Sequence, residues 1–79
     1  MTLGDLIRSV RLQLGITQVE LGKRSKMDHS RIQSIECGRV HNPTLRTIRR
    51  LAEGLGLRAQ IVLRRPDGDV EGVVNVDES

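Results

Sequence analysis

The chain has 79 residues, a net charge of +3 and no aromatic side chain. That length limits it to one modest domain, for which pairing with a second copy is a natural source of further buried surface; without Phe, Tyr or Trp, single-stranded nucleic acid cannot be held by stacking on aromatic rings. The lone cysteine, Cys37, excludes an internal disulfide, and the sequence has neither a signal-like apolar run nor a stretch near the roughly 20 apolar residues of a membrane span, so a reduced, soluble, cytoplasmic protein is expected.

The net charge conceals a division along the chain. Residues 1–65 carry all 13 Lys and Arg against five acids, a balance of +8, while residues 66–79 carry five acids and no base, a balance of −5. A basic body invites polyanions, and an acidic tail favours solubility or basic partners. The boundary divides the expected domain, 1–65, from an acidic flexible tail or second hairpin strand, 66–79.

The first helix is predicted over Leu3 to Leu14. Thr2 supplies the N-cap, Asp5 completes a capping box, and Gly15 permits a left-handed exit. Leu3, Leu6, Ile7, Val10 and Leu14 form the apolar stripe, with Arg8 and Leu12 pointing outward. A second helix starts at Thr17, where T-x-x-E to Glu20 makes another capping box. Gly22 inside it costs about 1 kcal/mol relative to Ala, which close approach of the next helix would offset.

The helical pattern breaks at "SKM", and Asp28 is placed to cap a third helix. Ile32 and Ile35 define its inward side, whereas Ser30, Gln33, Ser34 and Cys37 cluster on the opposite side, flanked by His29 and Arg31. Gly38 closes it. After the loop "RVHNP", Thr44 caps a fourth helix with the stripe Leu45, Ile48, Leu51, Ala52 and Leu55, and Gly56 stops it. From there the period changes: Leu57, Ala59, Ile61 and Leu63 alternate with Arg58, Gln60, Val62 and Arg64, the mark of a strand. A lone strand needs a partner. It is expected either in a hairpin through "PDGD" to "VEGVVNV" or in a second subunit, with Ala59, Ile61 and Leu63 as the dimerisation residues.

A face that served only solvation would normally carry Glu and Lys. The third helix instead presents small, uncharged hydrogen-bonding groups, which suits the DNA major groove: a groove roughly 12 Å wide admits one helix, and short polar side chains come close to base edges. Gln can bond adenine in a bidentate way, and Ser can donate or accept. Free N–H groups at helix starts, near Gln18 and from Asn42 to Leu45, suit phosphate oxygens.

The segment from Arg11 to Leu57, with its T-Q-x-x-L, I-x-x-I-E-x-G and N-P-T-L pieces, resembles the Cro and phage-repressor class of helix-turn-helix proteins. The resemblance implies a mainly α fold, a four-helix lambda-repressor-like domain, here with a C-terminal strand used for dimerisation. It implies base reading by His29, Ser30, Gln33 and Ser34, phosphate contact by Gln18, and a structural ion pair between Arg11 and Glu36. Arg31, Arg39 and Asn42 are the further phosphate candidates. The sequence departs from the family pattern in three places: Gly22 stands for the usual Ala, Lys26 for the Gly common in the turn, and His41 lengthens the following loop. A strand in place of a fifth helix is similar to antitoxins of toxin–antitoxin pairs.

The expected function is sequence-specific transcriptional regulation by a homodimer on an inverted-repeat operator of double-stranded DNA, as a repressor or autoregulator, with a toxin protein as a further partner if the antitoxin resemblance holds. A phage-type repressor, a restriction–modification controller and a protein-interaction module remain the alternatives. His29, His41 and Cys37 lack metal-ligand spacing. Four short helices leave little room for a nucleophile, base and orienting group in a cleft, so no metal, no cofactor and no enzymatic activity are expected.

Overall fold

The computed structural model describes residues 1–76. Four helices are followed by two strands: α1 (Leu3–Leu14), α2 (Gln18–Ser25), α3 (His29–Glu36), α4 (Leu45–Gly54), β1 (Gln60–Arg64) and β2 (Val70–Asn75). The last three residues of the expected acidic tail, 77–79, lie outside the described residues. Among the described residues no helix is long and apolar enough to cross a membrane.

Local sequence sets the helix ends. At α1 the Thr2 hydroxyl accepts from the Asp5 N–H (3.1 Å) while the Asp5 carboxylate accepts from the Thr2 N–H (3.2 Å), and Gly15 leaves at φ 71°. The Thr17 and Thr44 hydroxyls accept from the N–H groups of Glu20 and Thr47 at the starts of α2 and α4, but the capping box expected at α2 is only half formed: the Glu20 carboxylate accepts from Arg24 at 3.1 Å instead of turning back to Thr17. Asp28 occupies the N-cap position of α3 but its side chain makes no capping bond, a correction to the sequence reading. Backbone geometry starts that helix without it: the Asp28 carbonyl accepts from the N–H groups of Arg31 and Ile32.

Ile7, Ile16, Leu21, Ile32, Ile35, Leu51 and Leu55 form one core, with Leu3, Val10, Met27 and Val40 packed at its edge. The apolar stripe expected for α1 is corrected by rotation of the helix. Leu6 and Leu14 are 44% and 48% exposed, and the residues turned inward are Gly4, Ile7 and Arg11. Two contacts fix that rotation: a Cβ at Gly4 would collide with the Ile35 carbonyl, and Arg11 reaches Glu36. Leu45 of α4 is also exposed, where Thr47 turns inward instead.

Gly22 meets a similar demand. A Cβ there would stand 2.6 Å from the Met27 carbonyl oxygen, so the turn between α2 and α3 folds back directly onto α2. α2 runs through Ser25, and Lys26 then takes a left-handed conformation (φ 57°), its N–H facing the Gly22 and Lys23 carbonyls.

β1 and β2 pair antiparallel, Ile61 opposite Val74 and Val62 opposite Val73, with a bulge between Leu63 and Arg64. The turn closes through Gly68 (φ 102°) and through the Arg65 N–H donating to the Asp69 carbonyl at 2.8 Å. Ala59 and Ile61 are half-buried, but Leu63, Val73 and Val74 are 65%, 51% and 62% exposed. Only the base of the hairpin approaches the helices, where Ala59 and Gln60 meet Leu3, Leu6, Ile48 and Leu55 around an apolar groove.

Candidate nucleic-acid interface

α2 and α3 lie side by side across a tight turn, and the site is built on the side of α3 that the core leaves free. Ile32, Ile35 and Glu36 face inward. His29, Ser30, Gln33 and Cys37 are exposed, and Ser34 is half-buried. Ser34 sits lower because the chain after α3 curls over it: its carbonyl accepts from the N–H groups of Arg39 (2.9 Å) and Val40 (3.4 Å). The outermost uncharged groups on this side are therefore Ser30, Gln33 and Cys37, with His29 at their edge.

Beneath this surface lies a buried charge network. Arg11 grips Glu36 with two hydrogen bonds, Nε to Oε2 at 2.7 Å and Nη2 to Oε1 at 2.9 Å, and its Nη1 donates to the Ile16 carbonyl at 2.9 Å. Arg11 and Glu36 are 8% and 9% exposed. The Glu36 bonds, more than any other influence, raise the Arg11 guanidinium above its already high ordinary pKa. Gln18 joins from the start of α2, its Nε2 donating to Glu36 Oε1 at 3.3 Å. One carboxylate thus ties together α1, the head of α2 and the end of α3. Gln18 is half-buried and oriented by this bond at the head of α2.

Gln18 and Gln33 line one shallow depression together with Arg8, Arg11, Glu36 and Cys37. Arg8 brings a cation to the edge of the uncharged face, a position the sequence marks only as outward. Arg39 and Asn42 are exposed in the segment after α3. Arg31 is exposed too, but turns toward α4, where its Nη2 donates to the Thr47 hydroxyl at 3.3 Å. On that side the structure assembles further cations, Lys23 and Lys26 from α2 and its cap with Arg46 and Arg50 from α4. In the sequence Arg46, Arg49 and Arg50 read as one charged face of the fourth helix, solvated or in contact with phosphate or a partner, with Arg46 and Arg50 one turn apart; joining them to Lys23 and Lys26 depends on the packing of α2 against α4.

Ala59, Ile61 and Leu63 lie on the hairpin away from α3. The outer edge of β1 has no strand beside it among the described residues.

A family model described as a helix-turn-helix domain matches residues 2–65. The chain is 32% identical over 63 residues to the immunity repressor protein of Bacillus phage phi105, spanning 80% of this chain and 43% of the repressor. It therefore covers under half the length of that relative. Among solved structures, the wild-type restriction-modification controller protein C.Esp1396I superposes with a TM-score of 0.63 at 30% identity, over 68% of this chain and 69% of the controller. A point mutant of the same controller gives 0.65 at 30% identity, over 68% and 67%.

Proposed function

This chain belongs to the helix-turn-helix domain family, and on that premise we propose that it is a sequence-specific DNA-binding transcriptional regulator that inserts α3 into the major groove. The observation that carries the reading is the surface of α3: the uncharged Ser30 and Gln33, with His29 beside them, stand exposed on a helix whose opposite side is anchored in the core, and Gln18 is held nearby by Glu36. Short polar groups on a rigid helix are what base-edge recognition requires. Ser34, less exposed, reads from the rim. Gln18, Arg31, Arg39 and Asn42 are assigned to phosphates, which fix register without reading sequence.

The regulator acts as a homodimer on an inverted repeat, one α3 per half-site about 10 base pairs apart. Ala59, Ile61 and Leu63 of the hairpin and the groove between α1 and α4 supply the second-copy surface. This assignment is supported by the exposed Leu6, Leu57 and Leu63, which a lone subunit leaves in water. A DNA-binding role fits a cytoplasmic protein. Repression or autoregulation is the direction supported by the likeness to a phage immunity repressor; the likeness to a restriction-modification controller supports a controller role for the same machinery.

A second reading rests on the hairpin. Val62 and Val73 pair across the sheet on the face opposite Ile61 and Val74 and are both exposed, a second apolar face that favours capture of a partner protein, as by the antitoxin of a toxin–antitoxin pair. Light scattering of the purified chain separates the two. A dimer that covers the hairpin supports the first reading, and a monomer that forms a stable complex with the product of an adjacent toxin-like gene supports the second.

Footprinting upstream of the gene with the purified protein identifies the operator. Gln33→Ala is then expected to cost about 1–3 kcal/mol of discrimination at one position of each half-site. Equal loss on operator and random duplex would remove Gln33 from base reading.

A further inference from the structure

A second cleft, of about 760 Å³, opens between the end of α2, the turn, the start of α3 and the outer face of α4. Five cations line it, Lys23, Lys26, Arg31, Arg46 and Arg50, against one carboxylate, Asp28. Three arginines of the body are ion-paired, Arg11 with Glu36, Arg24 with Glu20 and Arg49 with Glu53, while among the described residues Arg8, Arg39 and Arg58 stand singly outside the cleft. Among the described residues none of the five cleft cations has such a pair. Arg46 and Arg50 stand one turn apart on α4, a like-charge spacing that weakens a helix in the absence of a counter-ion.

Two further features point to a bound anion. Arg31 is held over the cleft by its bond to the Thr47 hydroxyl at 3.3 Å, on a residue only 7% exposed. Lys26 is the one non-glycine residue with positive φ among the described residues. A lysine kept in a left-handed conformation where glycine would rest more easily is strain of the kind concentrated at binding sites. Position settles which phosphate source is meant. Val19 and His29 line both this cleft and the neighbouring depression that contains Gln18, and Gln18 in turn borders the depression of Arg8 and Gln33. The cations therefore continue the α3 surface as one track.

We propose that this cleft binds phosphodiesters of the operator duplex beside the bases read by α3, widening the footprint of each subunit beyond the helix-turn-helix contacts. The inference rests on the DNA-binding reading above and adds a phosphate site to it. A free polyphosphate presents the same chemistry, and the test separates the two sources.

Binding of the full chain to operator and random duplexes is measured over a salt series. The double variant Arg46→Gln/Arg50→Gln is expected to reduce the slope of log K against log[salt] by about 1.8 per bound subunit, with affinity falling alike on both duplexes and the operator preference kept. An unchanged slope overturns the proposal. Lys26→Gly removes one charge while relieving the left-handed residue, so a thermal midpoint no lower than that of the parent should accompany a slope reduced by about 0.9; a parental slope in that well-folded variant also overturns it. The free-anion source is examined by an amide NMR titration with inorganic triphosphate. Shifts at Lys23, Arg46 and Arg50 together with unchanged salt slopes would assign the cleft to a small anion and overturn the duplex assignment. Failure of the underlying reading looks different: a parent protein with no operator preference, whatever its salt slope.

Discussion

Two ion pairs of the same length divide the molecule. Arg11 meets Glu36 at 2.7 Å with side chains 10% and 3% exposed, and Arg65 meets Glu71 at 2.7 Å with side chains 61% and 60% exposed. The first sits in the helical body, shares its carboxylate with Gln18 and its guanidinium with a backbone carbonyl, and holds three helices in register. The second lies across the hairpin in water, where Coulomb attraction is screened and holding two long side chains costs entropy. The same contrast holds for apolar groups. Leu21, Ile32 and Leu51 are fully buried in the body, whereas the larger apolar residues of the hairpin are mostly in solvent. A two-stranded hairpin is marginal by itself. The helical body carries the buried core, and the hairpin leaves most of its apolar side chains exposed.

Glu36→Ala should break this contrast most severely. It leaves Arg11 buried without its counter-charge and is expected to cost about 3–5 kcal/mol, against less than about 1 kcal/mol for Glu71→Ala. Denaturant titration of both variants measures the difference, and equal losses would mean that burial does not distinguish the two pairs. Gly22→Ala comes next. Helix propensity favours Ala by about 1 kcal/mol, but the added methyl is forced against the Met27 carbonyl, and a net loss of about 1–2 kcal/mol is expected from the cost of overpacking. A stabilised variant would show that the turn moves aside freely.

Leu63→Ser sharpens the comparison from the other side. Within about ±0.5 kcal/mol it should leave the unfolding of the body unchanged, as expected of an exposed site, while shifting the proposed dimer to monomer in light scattering. The smallest effect is at the start of α1. The Thr2 backbone N–H first, and its hydroxyl second, hold the Asp5 carboxyl below its usual 3.8. Because the folded-state value is the lower one, the stabilisation is complete above the ordinary carboxylate range and fades as the pH falls through the depressed value. Thermal midpoints of the parent and Asp5→Asn should therefore converge below about pH 4 and separate above it; parallel curves would deny Asp5 its capping role.

Much of the architecture was readable in short-range chemistry. Thr2 with Asp5, Thr17 with Glu20 and Thr44 mark helix starts, Gly15 and Gly56 mark exits, and the change of period after Gly56 marks the strand. What escaped was set by contacts distant in sequence. An arginine does not register on an apolar stripe, so the inward turn of Arg11, and with it the exposure of Leu6 and Leu14, could not be read from α1 alone. Ser34 belongs to the uncharged cluster by angle and is half-covered only because the chain returns through Arg39 and Val40. Lys23 and Arg50 are far apart along the chain, and their shared cleft exists only once α2 packs on α4.

The central claim is that the uncharged face of α3 meets the bases. It is tested most directly by an amide NMR titration with operator duplex. The account predicts the largest shifts at Ser30, Gln33 and Ser34 of α3 and at Gln18, with the hairpin residues Leu63 and Val73 unmoved. Shifts concentrated in the hairpin, with α3 silent, would contradict it.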